Sequence, residues 1–276
     1  TDVDNSKTPE VDAPKTNLPD TDANITHSRT TTADPVDVIT GGLSVAYTDL
    51  IVPDIRDDFR LVRTYSSTSM KRAGMLGRYW KYNVESHAHI SHNHVRIILP
   101  DMHAEEFTCQ EGNWENTRRN RKRHTLREED SQYVLKDALK GDTYTYDKVS
   151  GNLTVTEDCC GNKAHYMYEG NKVVQISLTS GLEIYFTYEG DRLAAVEDSA
   201  KRKCTFRYRD DLLVEENGPN GGRVTYRYTP EGYLTHITNE AGKCYVQNQY
   251  DRRGRVTRQQ TADGEEYIFM YDDANR

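Results

Sequence analysis

The sequence predicts an all-β protein of repeated antiparallel hairpins that join into one long curved sheet behind a disordered N-terminal tail. Three observations carry this reading. Seven tyrosines, Tyr146, Tyr168, Tyr188, Tyr208, Tyr228, Tyr250 and Tyr271, follow one another at steps of 22, 20, 20, 20, 22 and 21 residues. A period of this length belongs to a repeat array whose units cannot bury an apolar face alone and must stack. Before each tyrosine, apolar residues fall at every second position, as in Ile184-Phe186-Tyr188, Cys204-Phe206-Tyr208 and Val224-Tyr226-Tyr228, with Thr187, Thr205, Arg207, Thr225 and Arg227 between them. That alternation puts one face of a strand inward and the other toward water. After the tyrosines, Glu169-Gly170-Asn171, Glu189-Gly190-Asp191, Pro230-Glu231-Gly232 and Arg253-Gly254 supply the residues that tight hairpins require.

Taken in chain order, residues 1–33 hold six acids and three bases, no aromatic residue, and abundant Thr, Asp and Pro. Such a segment buries too little apolar area to offset its chain entropy and is expected to be a disordered acidic linker. The segment 34–140 is expected to be a β-rich domain that caps or extends the sheet. In it, Asp34-Pro35-Val36-Asp37-Val38-Ile39 reads as a short strand ended by a turn at Gly41-Gly42. Further strands are expected at 80–90, 95–99, 104–109, 133–137 and 143–146.

Residues 141–276 form the repeats. The second strand of each carries Val173 and Ile176, Leu193 and Val196, or Leu234 and Ile237. The three-residue offset within each pair breaks a two-residue period, so a bulge is expected there. A second turn follows at Gly161, Gly181, Gly221-Gly222, Gly242 and Gly264. Equivalent aromatics are expected to stack from hairpin to hairpin. The chain starts without Met and stops within a repeat turn, so both ends are expected to be cut from a longer polypeptide.

Composition narrows the function. A net charge of −8 and a pI near 5.6 argue against general affinity for nucleic acid or an anionic membrane. A mean hydropathy of −0.87 with 35% hydrophobic residues suits a sheet that is wide for its volume. Tyr outnumbers Phe 19 to 5, which favours a half-wet surface where a ring packs and its hydroxyl finds a partner. No apolar run is long enough for a membrane span.

Tyr250-Asp251-Arg252-Arg253-Gly254-Arg255-Val256 and Tyr271-Asp272 resemble the motif of the Rhs (YD-repeat) family. Tyr208-Arg209 and Tyr228-Thr229 lack its acidic residue. Asp34 to Gly42, Arg63-Thr64-Tyr65-Ser66-Ser67 and Leu76-Gly77-Arg78-Tyr79-Trp80 are similar to landmarks of the domain that precedes such repeats. The family carries Gly where this chain has Tyr79, so a different local turn is expected there. The resemblance runs from Asp34 to the end. It implies the N-terminal part of a non-enzymatic shell from a bacterial polymorphic toxin, secreted or held at the cell surface. The implied partners are the rest of the shell, an enclosed C-terminal toxin absent from this chain, and a secretion-apparatus or cell-surface component. The alternative is a cell-surface adhesion module that stacks sugars on its aromatics, with a glycan as partner.

Chemistry-bearing clusters are few. His87, His89, His92 and His94 could offer imidazoles to Zn²⁺ or Ni²⁺, with Glu85, His87 and His89 sharing one strand face and a hairpin returning His94. Their spacing matches no recognised ligand set, so a solvated hairpin is the simpler reading and no metal or other cofactor is expected. Arg118, Arg119, Arg121, Lys122 and Arg123 form a basic run that reads as a solvated loop, a protease-sensitive segment or a contact for an acidic partner. Five cysteines make no disulfide framework. Cys204 and Cys244 fit the core. Adjacent Cys159 and Cys160 read as free thiols, with a vicinal disulfide or soft-metal pair as the sharper alternatives. Without a nucleophile elbow, phosphate loop or HExxH helix, no catalytic residue is assigned.

Overall fold

A computed structural model describes residue 36, residues 40–55, 57–68, 73–101, 103–117 and 123–272. The expected disordered tail, residues 1–33, lies outside them, as do Arg118, Arg119, Arg121 and Lys122.

Every named element is a strand. A three-stranded sheet comprises β1 (Ser44–Val52), β2 (Phe59–Ser66) and β3 (Trp80–Tyr82). A four-stranded sheet comprises β4 (His87–Ser91), β5 (His94–Ile98), β6 (Ala104–Gln110) and β7 (Asn113–Asn116). The rest is one 15-stranded sheet in sequence order. It runs through β8 (His124–Glu128), β9 (Gln132–Asp137), β10 (Thr143–Asp147), β11 (Leu153–Glu157), β12 (Lys163–Glu169), β13 (Lys172–Leu178), β14 (Glu183–Glu189) and β15 (Arg192–Asp198). It continues through β16 (Lys203–Arg209), β17 (Leu212–Asn217), β18 (Arg223–Tyr228), β19 (Leu234–Asn239), β20 (Cys244–Tyr250), β21 (Val256–Thr261) and β22 (Glu266–Ile268). The sheet is open and every pairing in it is antiparallel.

The alternation holds strand by strand. Ile184, Phe186, Cys204, Phe206 and Tyr226 are buried, whereas Thr187, Arg207, Arg227, Gln247 and Gln249 are exposed. The expected bulge sits in each second strand. Tyr188 pairs with Leu193 while Thr187 pairs with Ala195, which leaves Ala194 unpaired. The same slip leaves out Val174, Val214, Thr235 and Thr257. It turns both Leu193 and Val196 inward, which explains their three-residue spacing.

The bulge also explains the tyrosine. The Tyr188 hydroxyl donates to the Val173 carbonyl at 2.9 Å, Tyr208 to Leu193 at 2.8 Å and Tyr228 to Leu213 at 2.5 Å. Tyr250 donates to Leu234 at 2.6 Å and Tyr271 to Val256 at 2.5 Å. Each acceptor precedes the bulged residue and pairs with the preceding repeat tyrosine. Successive hairpins are therefore joined through hydroxyl-to-carbonyl bonds, each contributing about 1 kcal/mol net. The expected ring-on-ring stack is replaced by this contact, because the bulge presents a carbonyl where the ring ends.

The N-terminal half departs from expectation in three places. The expected strand 80–90 is two strands in two different sheets, divided at Asn83 to Ser86. The Glu85 carboxylate accepts the Tyr82 and Met75 amides at 2.8 and 3.2 Å and closes a turn there. Tyr79, expected to alter a local turn, instead adopts φ +68, the left-handed conformation that glycine favours. Its buried ring sits 6.0 Å from Tyr65 and 5.7 Å from Tyr233, so packing offsets the strain. The three-stranded sheet does not extend the array but lies across its buried face. There the Leu193 amide donates to the Met75 carbonyl, Arg78 to Asp211 and Val256 to Gly41. The four-stranded sheet meets the β8 end, where Trp114 Nε1 donates to Glu128 at 2.8 Å. The long sheet begins at His124.

Candidate functional site

The densest buried chemistry lies where β1, β2 and β3 press on β16 to β18. Arg63 on β2 is fully buried, as is Asp49. Asp49 is the extra residue of a bulge in β1, between Thr48 and Leu50 in the register with β2, and the bulge aims it at Arg63. Arg63 donates from Nε and Nη2 to the two Asp49 oxygens at 2.9 and 3.1 Å. Nη2 also reaches Glu216 Oε2 at 2.9 Å, and Nη1 donates to the Tyr226 hydroxyl at 2.9 Å. Tyr82 donates its hydroxyl to Asp49 Oδ2. The guanidinium lies 4.9 Å from the Trp80 ring and 5.2 Å from Tyr47.

One guanidinium thus serves two carboxylates in a dry interior. Burial opposes the charge on Arg63, but Asp49, Tyr226 and Glu216 outweigh it and hold its pKa well above the ordinary value. Burial raises the Glu216 carboxyl, Arg63 pulls it down, and Asp49 adds to the rise, so the net shift is upward. Further polar contacts surround the node. Trp80 Nε1 donates to the Tyr228 hydroxyl at 3.0 Å, and the Leu234 amide to the Tyr65 hydroxyl at 2.9 Å. Arg202 reaches the Ile51 carbonyl at 2.8 Å, and Ser67 Oγ the Gly254 carbonyl at 2.9 Å. The arrangement fixes one sheet on another in a single register. The Arg63, Asp49 and Glu216 side chains are buried within it.

A second buried joint ties the four-stranded sheet to the start of the array. His124 on β8 places Nδ1 3.1 Å from Glu105 on β6 and Nε2 3.6 Å from Asp137 on β9. Arg123, the described end of the basic run, donates to Asp137 at 2.7 Å. Hydrogen bonding to Arg123, against the cost of burial and with help from the Leu139 and Lys140 amides, holds the Asp137 carboxyl far below its ordinary value.

The sequence-flagged histidines do not converge. His87 and His89 stand ring to ring at 4.9 Å, His94 pairs with Ser91 across the hairpin and faces Glu106 at 3.8 Å, and His92 lies in the turn. Glu85 is outside the strand, bonded to backbone amides. No group of three or more His, Cys, Asp or Glu side chains able to hold a metal ion is found among the described residues. His87 and Glu85 line a cavity of about 240 Å³ with Tyr168, Tyr188 and Lys172. Among the repeat tyrosines, Tyr146 bonds outside the series, to Ser86 Oγ at 2.7 Å. Sequence reasoning quoted Arg63 as a landmark without a role and passed over Asp49 and Glu216. The available signal was Glu216 itself, a carboxylate at the position that Ile176, Val196 and Ile237 fill in sister repeats.

Comparison with known families matches a model described as Teneurin YD-shell to residues 132–272 and a domain of unknown function, DUF6531, to residues 33–107. No curated protein matches the chain. Among solved structures, a crystal structure of TcdB2-TccC3 without its hypervariable C-terminal region is similar at 8% identity and a TM-score of 0.31, covering 83% of this chain and 18% of that one. The Photorhabdus luminescens Tc holotoxin pore is similar at 11% identity and a TM-score of 0.28, covering 86% of this chain and 17% of that one. This chain therefore spans less than a fifth of either.

Proposed function

Because the chain belongs to the YD-shell family, we propose that it is the opening section of a non-enzymatic shell whose longer parent protein encloses a C-terminal toxin. In this role the two N-terminal sheets are an internal plug. The three-stranded sheet covers the buried face, the four-stranded sheet meets the β8 end, and together they hold the first windings in register. The observation that carries the reading is the run of bulge-and-tyrosine bonds from Tyr188 to Tyr271, which lets identical hairpins add without limit. An added winding would continue from β22. The parent protein is secreted or displayed at a bacterial surface under this proposal. No helix among the described residues is long and apolar enough to cross a membrane.

The test uses the full-length parent protein. Limited proteolysis should leave its C-terminal segment intact while surface loops are cut, and the segment should become cleavable once the shell is opened by denaturant. Cleavage of that segment at the same rate before and after opening would remove enclosure from the proposal. A glycan array run on the same protein distinguishes the adhesion alternative, which requires sugar-specific micromolar binding by the shell itself.

A further inference from the structure

We propose that Cys159 and Cys160 form a reversible redox site, closing to a vicinal disulfide by exchange with a small-molecule disulfide such as oxidised glutathione. The pair occupies the turn between β11 and β12. The Sγ atoms are 3.9 Å apart, in contact, and both residues are exposed. Their turn is fixed from both sides. Asp158 Oδ1 accepts the Cys160 and Asn162 amides at 2.8 and 2.9 Å, and the Gly161 amide donates to the Asp158 carbonyl at 3.1 Å. The other thiols are less available: Cys204 is buried, and Cys109 and Cys244 are half-buried.

The chemistry balances as two exchanges. One cysteine thiolate attacks a sulfur of oxidised glutathione, whose S–S bond breaks and releases one glutathione thiolate. The second cysteine thiolate then attacks the protein sulfur of the mixed disulfide and expels the second glutathione. Two electrons pass to glutathione, and the two thiol protons end on the released thiolates. Adjacent Cα atoms are about 3.8 Å apart, closer than the roughly 4.4–6.8 Å of relaxed disulfides. The ring is therefore strained and belongs with the readily reduced, switch-like disulfides. It closes in an oxidising compartment and opens in a reducing one. The hydrogen bond with Cys160 raises the Cys159 thiol above its ordinary pKa. Where Cys159 is the attacking thiol, closure should therefore accelerate as pH rises toward that value, as its thiolate fraction grows.

The experiment treats the whole folded chain with oxidised glutathione, quenches with acid, alkylates and measures peptide masses. The expected product is the 159–160 peptide lighter by two hydrogens, refractory to alkylation and restored by reduced glutathione. Cys160→Ser should stop at one glutathione on Cys159. A wild-type chain that keeps its glutathione, pairs either thiol with Cys109 or Cys244, links to a second chain, or retains two alkylatable thiols would overturn the proposal.

Discussion

The two buried charge clusters do the same job with opposite arithmetic. Around Arg63, one cation is shared by Asp49 and Glu216. Around Asp137, one carboxylate collects Arg123, the ring of His124 and the amides of Leu139 and Lys140. Each cluster joins an N-terminal sheet to the long sheet, the second through Glu105 on β6, which meets the His124 ring. The first is rich in carboxylate, and its Glu216 is pushed upward. The second is rich in donors, and its Asp137 is pushed downward. Burial outweighs the pull of Arg63 at Glu216, whereas the Arg123 hydrogen bond outweighs burial at Asp137. A buried ionic joint fixes register in both cases, but whether desolvation or hydrogen bonding wins at its carboxylate sets which side of the pH scale loosens it.

The largest effect should come from emptying the Arg63 position. Arg63→Ala strands Asp49 and Glu216 in a dry interior, and breaking such a network costs roughly 3 to 5 kcal/mol. Arg123→Ala removes a partner that is 40% exposed and leaves Asp137 with its backbone amides and the His124 ring, so a clearly smaller loss is expected. Urea unfolding of both variants decides the matter. Equal losses would mean that burial does not separate the two joints.

Next in size is the repeat register. Tyr208→Ala should cost roughly 3 kcal/mol for the lost ring. Tyr208→Phe should cost only about 1 kcal/mol, for the bond to Leu193. Arg207, one residue away and facing solvent, should cost about 0.5 kcal/mol or less on truncation to Ala. Hydrogen exchange should show the Tyr208 damage spreading to the neighbouring hairpins. A Tyr208→Phe loss as large as that of Tyr208→Ala would shift the weight from the ring to the hydroxyl.

How much of this was legible follows from the distance over which each feature is determined. The tyrosine period and the bulge are written locally: Leu193 and Val196 announce the slip within four residues. The Arg63 joint is only half so. Leu61 and Tyr65, two residues to either side, put Arg63 on the inward face of its strand, but its partner Glu216 lies 153 residues away. Glu216 was visible only as an exception to the Val173 and Ile176 pattern, and Gln259 is the same exception one repeat pair later. The break at Asn83 to Ser86 was hidden because Glu85 satisfies backbone amides in a segment whose side chains still alternate.

The pH arms sharpen the comparison. Glu216 binds its proton more tightly folded than unfolded, so its contribution is complete below the ordinary carboxylate range and is lost as pH rises through its raised value. Asp137 is the reverse, since its contribution is present above that range and lost as pH falls. Exchange protection of β2 and β3 should therefore decline toward neutral pH, and that of β8 and β9 toward strong acid. Glu216→Gln should flatten the first limb alone and Asp137→Asn the second alone. A single shared limb would mean that the two sheets detach together.

The smallest effect tests the repeat itself. Each second turn places a left-handed residue at one position, filled by Gly161, Gly181, Gly221, Gly242 and Gly264 with φ between +77 and +85. In the turn after β15 that position is Lys201, at φ +66. A side chain there costs about 1 to 2 kcal/mol, against about 0.5 to 1 kcal/mol of extra chain entropy for glycine. Lys201 gives something back through its 3.0 Å pair with Glu197, but at 78% exposure that pair contributes little. Lys201→Gly should thus stabilise the fold by about 0.5 kcal/mol, read as a higher urea midpoint at unchanged slope. A fall in the midpoint would show that the ion pair, and not the turn geometry common to its sister repeats, holds this hairpin. The array would then be less uniform than its tyrosine spacing implies.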